Sequence, residues 1–217
     1  MSELLEIGDR IVALARPGEQ VEVVVGRATS TEVRAYDGQV EQFASATSAG
    51  VGVRVIAGNR QGFAYAGTLD ADVMAETLAE ARDNATFATD DEWLGLAEPD
   101  GLAVPALDLY RESLTRVSTD AKIDLALELE RAVRAADPRI TGVESADYAD
   151  GVSEGAVVST TGIRTYGRET SCYVAAHCVA TDGDDTQTGF GFSVGRTLDD
   201  LDVSVAAGDA ARRATRL

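Results

Sequence analysis

The sequence predicts an α+β fold of antiparallel meander sheets with packed helices, in which a helix–strands–helix plan occurs twice. Three observations carry this reading. Apolar residues alternate in several stretches, as in Val51, Val53, Val55 and Ala57, whose side chains share one strand face. Asp37-Gly38 and Gly58-Asn59, pairs that accept positive φ, separate such stretches at the spacing of tight hairpins. Elsewhere the period becomes helical, with Val73, Met74, Leu78, Ala81 and Ala85 following a capping Asp70.

Taken in order, Ser2–Arg16 reads as a helix with Leu4, Ile7, Ile11 and Leu14 on one stripe, stopped by Pro17-Gly18. The β-branched run Val21–Ala28 is the first strand. Thr31–Tyr36 and Gln39–Ala46 then pair across Asp37-Gly38, and Gly50–Ala57 and Arg60–Tyr65 across Gly58-Asn59. A helix over Ala71–Asn84 closes a first α+β unit, residues 1–85. Residues 86–117 carry the chain's only tryptophan, Trp93, and the acidic run Asp90-Asp91-Glu92. They read as a connector docked through Trp93, Leu107, Leu109 and Tyr110, since a purely flexible linker has no use for large apolar groups.

Ser118 caps a helix over Thr119–Ala136, and Asp137-Pro138 ends it. Its apolar residues Ile123, Leu125, Leu127, Leu129 and Val133 cover a wide arc, which predicts burial on more than one side. Strands follow at Ile140–Tyr148, Val152–Ser159, Ile163–Ala180 and Thr186–Val194, with turns at Asp150-Gly151, Thr161-Gly162 and Asp182-Gly183. Asp199 or Asp200 opens a last helix that runs to Leu217 and completes a second unit, residues 118–217. The corner Ala66-Gly67-Thr68-Leu69-Asp70 resembles Gly195-Arg196-Thr197-Leu198-Asp199. Internal duplication and shared turn chemistry both account for that match. The stripe Ala206, Ala207, Ala210, Ala211 and Ala214, with the wide arc of 119–136, predicts that the isolated chain self-associates as a dimer or aggregates. No glycine cap follows the last helix, an ending expected of a fragment.

With 45% hydrophobic residues among 217, the chain can bury a sizeable core. No apolar run approaches the roughly 18 residues of a membrane helix. The start MSELLEIGDRIVALAR lacks the basic head and cleavage site of a signal peptide, so the expected location is cytoplasmic. The net charge is −18, from 37 acidic and 19 basic residues, and Lys122 is the only lysine. Such a surface repels phosphate backbones, which argues against a nucleic-acid partner. It also suits a chain kept soluble at high salt, as in a halophilic or high-GC source.

Candidate chemistry is sparse. On a regular strand Cys172 and Cys178 share a face at roughly 20 Å, beyond disulfide reach, and read as reduced, buried small hydrophobes. His177, the only histidine, lies on the reverse face with Tyr173, Ala175 and Val179. Zinc needs three or four ligands, which this set does not supply. Asp182-Gly183-Asp184-Asp185 has part of a calcium loop but not the distal Glu, so it reads as a solvated turn. No G-x-S-x-G elbow accompanies His177. Gly50-Val51-Gly52 and Gly189-Phe190-Gly191 fall within strands, where glycine permits close backbone approach, not at phosphate-binding corners. Arg34, Arg54, Arg60, Arg164 and Arg168 could meet a peptide carboxylate or pair with the many surface acids, and pairing is the expectation. The residues therefore name no catalytic, cofactor-binding or metal site.

Several segments taken in order resemble the modulator of DNA gyrase family, the TldD/PmbA peptidases. They are YDGQVEQFASATSAGVGVRVIAGNRQGFAYAGTLD, the helix after it, ALDLYRES, RAVRAADPRITGVESADYAD, and GFGFSVGRTLDDLD before an Ala/Arg-rich helix. The pattern is nearer the PmbA (TldE) type. The resemblance implies the N-terminal region of a metallopeptidase subunit roughly twice as long, acting on unfolded peptides. It implies a role as chamber wall and interface, in a homodimer or a heterodimer with a TldD-type subunit. Zinc is then expected on the TldD-type partner, whose HExxxH motif has no counterpart here, and no cofactor in this chain. The alternative is a free-standing peptide-binding or interaction module that has lost the protease half. A reading frame continuing past codon 217 favours the first and a stop codon the second.

Overall fold

The strand corners are set by residues that tolerate left-handed backbone. In the computed structural model, which describes residues 2–103 and 105–216, Asp37 and Gly38 take φ of 52° and 75°, and Gly58 and Asn59 take 55° and 60°. Positive φ at both central residues is the I′ hairpin pattern, whose twist matches that of paired strands. The element order is α1 (Glu3–Val12), β1 (Gln20–Tyr36), β2 (Gln39–Ala57), β3 (Arg60–Ala66), α2 (Ala71–Phe87), α3 (Thr119–Ala136), β4 (Ile140–Ser159), β5 (Arg164–Asp182), β6 (Asp185–Gly195) and α4 (Val203–Ala214). The strands form one six-stranded antiparallel sheet in the order β3-β2-β1-β4-β5-β6. This is what two three-stranded meanders give when joined through their first strands, so the helix–strands–helix plan does occur twice.

Several sequence-derived boundaries change. The stretches 21–28 and 31–36 are one strand, as are 39–46 and 50–57, and 140–148 and 152–159. Asp150-Gly151 makes no turn. Asp150 is held by Lys122 and Tyr148, and Gly151 lies in β4 beside the Thr29 carbonyl. α1 ends at Val12, short of Arg16, while α2 runs on to Phe87. Asp70 and Ser118 cap α2 and α3 as expected, accepting from the Asp72 and Ala121 N–H groups. The last helix is opened by neither Asp199 nor Asp200, which sit in a 3-10 turn capped by Thr197. Asp202 caps it through the Val205 N–H, 3.0 Å away. Leu217, its expected end, lies outside the described residues.

Two compact units interleave along the chain. Unit 1 comprises Met1–Ala28, Thr47–Asp108 and Ser153–Arg168, and unit 2 comprises Thr29–Ala46, Leu109–Val152 and Glu169–Leu217. The sequential boundaries 1–85, 86–117 and 118–217 differ from this because single long strands supply residues to both units. Unit 1 packs Leu4, Ile7 and Ile11 of α1 and Met74, Leu78 and Ala81 of α2 on Val21, Val23, Val25, Val51, Val53 and Val55. Unit 2 packs Ala126, Leu129 and Val133 of α3 and Ala206, Ala210 and Ala214 of α4 on Val33, Val143, Val174 and their neighbours. Each fully buried Val or Leu contributes about 1.5–3 kcal/mol relative to exposure.

The same packing device appears in each unit. Gly62 of β3 lies so close to α2 that an added Cβ would meet the Ala81 carbonyl oxygen at 1.9 Å and the Ala85 nitrogen at 2.4 Å. Gly189 of β6 lies against α4 in the same way, 2.0 Å from the Ala210 oxygen and 2.5 Å from the Ala214 nitrogen. The alanine stripe of α4 is therefore spent inside unit 2 and offers no exposed dimer face, because its small side chains are what allow that approach.

Candidate functional site

The residues with the most chemistry are kept apart by the alternation of β5. Cys172 and Cys178 point into the core of unit 2 as free thiols, and the Cys172 Sγ donates to the Thr197 carbonyl at 3.2 Å. Burial disfavours their thiolates, lifting Cys178 and pushing Cys172 up to about 11. Neither is a nucleophile at neutral pH. His177 is exposed on the reverse face, its ring 4.6 Å from that of Phe190 on β6. Among the described residues no group of three or more His, Cys, Asp or Glu side chains is arranged to hold a metal ion.

The faces turned away from the helices are the remaining candidates. In unit 1, Val24, Gly26, Gly52, Phe63 and Tyr65 line an open hollow of about 710 Å³, with Arg27 and Glu154 on its rim. Small residues make its floor, and the stacked Phe63–Tyr65 pair, centroids 6.4 Å apart, belongs to its lining. Tyr65 is 77% exposed. The Arg27 guanidinium, 2.6 Å from Glu154, holds that carboxyl below its ordinary range, so the rim stays charged at neutral pH. In unit 2, cross-strand pairs Tyr173–Val194, Ala175–Phe192 and His177–Phe190 place an aromatic stripe on the same kind of face. Phe190 and Phe192 stack with centroids 5.6 Å apart, matching Phe63 and Tyr65 in position and tilt. The signal for both was the alternation Gly-Phe-x-aromatic in each outer strand.

Most of the strand arginines are committed. Arg34 pairs with Asp147 (2.7 Å), Arg54 with Glu22 (2.6 Å) and Arg164 with Asp9 (2.9 Å), and Arg60 donates to the Thr86 carbonyl. The connector docks only in part by the expected groups. Trp93 is 86% and Leu107 69% exposed, whereas Leu109 and Tyr110 are half-buried and Leu96 and Leu114 are buried. In unit 1 the Leu96 N–H donates to the Gln20 side chain and the Thr161 hydroxyl to the Ala97 carbonyl. In unit 2 the Thr170 N–H donates to the Leu109 carbonyl. Sequence reasoning also missed a buried polar cluster in unit 2. Lys122 Nζ lies 2.6 Å from Asp150, whose other partner is the Tyr148 hydroxyl at 2.6 Å, and Lys122 also donates to Thr31. One signal was available: Lys122 is the chain's only lysine.

Two domain models match in sequence order, the PmbA/TldA metallopeptidase domain 1 over residues 21–85 and the central domain over residues 112–217. The chain belongs to the PmbA/TldD metallopeptidase family. It is 29% identical over 202 residues to metalloprotease PmbA of Escherichia coli O157:H7, covering 88% of this chain and 43% of that protein. It is 26% identical to a PmbA homologue of Haemophilus influenzae, over 70% of this chain and 32% of the relative. The fold matches a proposed modulator of a DNA gyrase from Thermotoga maritima, with TM-score 0.81, 22% identity and coverage of 96% of this chain and 47% of that one. It also matches TldE from Thermococcus kodakarensis, with TM-score 0.78, 19% identity and coverage of 96% and 46%. The chain thus spans less than half the length of the PmbA relatives it matches. A PmbA/TldD metallopeptidase implies a catalytic metal, and the described donors do not fit one. Two thiols are buried with raised pKa values, and the imidazole lies on the opposite strand face.

Proposed function

We propose that this chain is the N-terminal region of a PmbA/TldD-type metallopeptidase subunit involved in proteolysis of unfolded peptides. In this reading it forms chamber wall and subunit interface, in the cytoplasm, and a TldD-type partner subunit supplies the zinc that activates water. The observation that carries the reading is the pair of helix-free faces, each bearing a stacked aromatic pair with small or aliphatic neighbours. Broad aromatic and backbone-rich surfaces contact extended chains without selecting one sequence, whereas a folded protein presents too little extended chain to engage them. Family membership supports the same reading.

The test is to mix the chain, or the longer protein that contains it, with a TldD-type subunit from the same source and follow cleavage of an unfolded peptide. Cleavage that requires both proteins and stops with chelator supports the proposal. Replacing Phe63 and Tyr65 together with serine should then weaken peptide turnover while leaving subunit association intact. Stoichiometric zinc and chelator-sensitive cleavage by this chain alone would overturn it.

A further inference from the structure

Gly62 of unit 1 is held to glycine by helix backbone standing where its Cβ would be. Gly26 of β1, in the same unit, has no such reason. Among the described residues, a Cβ added there would meet nothing nearer than the Glu154 carbonyl oxygen at 3.6 Å, an ordinary contact. Nor is Gly26 among the glycines with positive φ. Alanine or valine would fit and would stabilise the strand, so internal packing does not account for the glycine. A strand glycine without that account marks a place where something outside approaches the backbone.

Gly26 and Gly52 belong to the floor of the 710 Å³ hollow of unit 1, which lies within the range of about 300–1,000 Å³ typical of ligand sites. The Phe63 ring leans over Gly52, with atoms 3.2 and 3.3 Å from where a Cβ would stand. Arg27 and Glu154 are the only charged groups of the lining, and they pair at 2.6 Å. The lining is therefore neutral in a chain of net charge −18. Both rim charges have further partners: Glu154 accepts from the Tyr166 hydroxyl at 2.7 Å, and Arg27 reaches Glu3 at 3.2 Å.

We infer that this hollow is a subsite for one large uncharged side chain, aromatic or branched aliphatic, of an unfolded peptide. The inference rests on the proposed contact of the helix-free faces with unfolded chains and adds what unit 1 selects there. The glycine floor admits the tip of a long side chain as far as the backbone, and the Phe63 and Tyr65 rings offer it stacked or edge-on contact. An ionised side chain would shed water and find no partner, since the rim charges are already engaged. A small side chain would leave the hollow wet. One such position restricts the composition of a peptide without fixing its sequence.

The test records ¹⁵N–¹H spectra of the full chain titrated with a short glycine–serine peptide carrying Trp, Leu, Ser, Lys or Glu at its centre. Salt of about 0.15 M confines the pull of the net charge to about 8 Å. The Trp and Leu peptides should bind at least about tenfold more tightly than the Ser peptide and shift the amides of Gly26, Gly52, Phe63 and Tyr65. The Lys and Glu peptides should bind no better than Ser. Gly26→Val fills the floor with a residue that strands favour, so Tm should hold while Trp binding falls to the Ser level. Equal binding of Trp and Ser peptides overturns the inference while leaving the peptide-contact reading in place. A Lys or Glu peptide that matches Trp overturns it in the same way, as does a Trp preference that survives Gly26→Val. Failure to bind any of the five overturns the inference together with the reading on which it rests. The expected binding by a chain that supports no cleavage with a TldD-type subunit upholds the subsite and counts against the proteolytic role alone.

Discussion

Replacing Gly189 with alanine should push α4 off the sheet. The new methyl carbon would stand 2.0 Å from the Ala210 oxygen and 2.5 Å from the Ala214 nitrogen, where ordinary contact begins at 3.4 Å. Both obstacles are helix backbone, so no side chain can rotate aside, and the helix must retreat by about 1.4 Å at that point. A gap of even about 0.5–1 Å forfeits a quarter to a half of each dispersion contact, and α4 buries five alanines. Overpacking of this kind costs about 1–3 kcal/mol, and a backbone obstacle places Gly189→Ala near about 3 kcal/mol. That corresponds to a fall of roughly 6–12 °C in Tm for a chain of this size. Urea and thermal unfolding followed by circular dichroism measure it. Gly62→Ala should behave alike, since α2 stands at the same distances. Gly208→Ala is the control, because it lies on the exposed side of α4 with nothing within 4 Å of the added carbon. It should stabilise by about 0.5–1 kcal/mol through helix propensity. If Gly189→Ala is as stable as Gly208→Ala, the close approach of strand and helix is wrong.

Three further outcomes are expected. Lys122→Met should cost about 3 kcal/mol, because it strands the Asp150 carboxylate, whose side chain is only 9% exposed. Lys122→Met combined with Asp150→Leu should recover most of that in urea melts, and a single-variant loss below about 1 kcal/mol would count against a buried pair. Glu130, 1% exposed, accepts the Gly38 N–H at 2.9 Å, so Glu130→Ala should cost about 2 kcal/mol and speed amide exchange at the β1–β2 turn. Unchanged exchange there would show that the turn stands without α3. Finally, the Cys172 thiol has a folded pKa near 11 against an ordinary 9.0. Above pH 9 the unfolded chain releases its proton while the folded chain keeps it. The stability contribution is therefore complete below pH 9 and is lost between pH 9 and 11, at up to about 1.4 kcal/mol per pH unit. Cys172→Ala should flatten the alkaline fall of urea midpoints, and parallel curves for parent and variant would refute the assignment.

Much of the fold was legible in the chain because local physics decides it. Asp37-Gly38 and Gly58-Asn59 turn where positive φ is cheap, Asp70 and Ser118 cap where a helix has orphan N–H groups, and β5 alternates cysteine-in and histidine-out as any strand must. For the same reason His177 and the two cysteines fall on opposite faces of that strand. The aromatic stripes were less legible. Phe63, Tyr65, Phe190 and Phe192 read as alternating strand residues, but which face the helices cover is not written in alternation alone.

The sequence by itself determined what depends on near neighbours: the turns, the caps, the helical and strand periods, and the ordered segments that mark the family. Only the tertiary structure decided that Asp150-Gly151 runs straight, that the alanines of α4 are buried against β6, and that β3 pairs with only Val51–Ala57 of β2. Those outcomes rest on partners far along the chain. Lys122 reaches Thr31 across 91 positions and Arg34 reaches Asp147 across 113. An ion pair or a buried helix face exists only once distant segments have been brought together. Pairwise distance in space, not spacing in sequence, sets its energy.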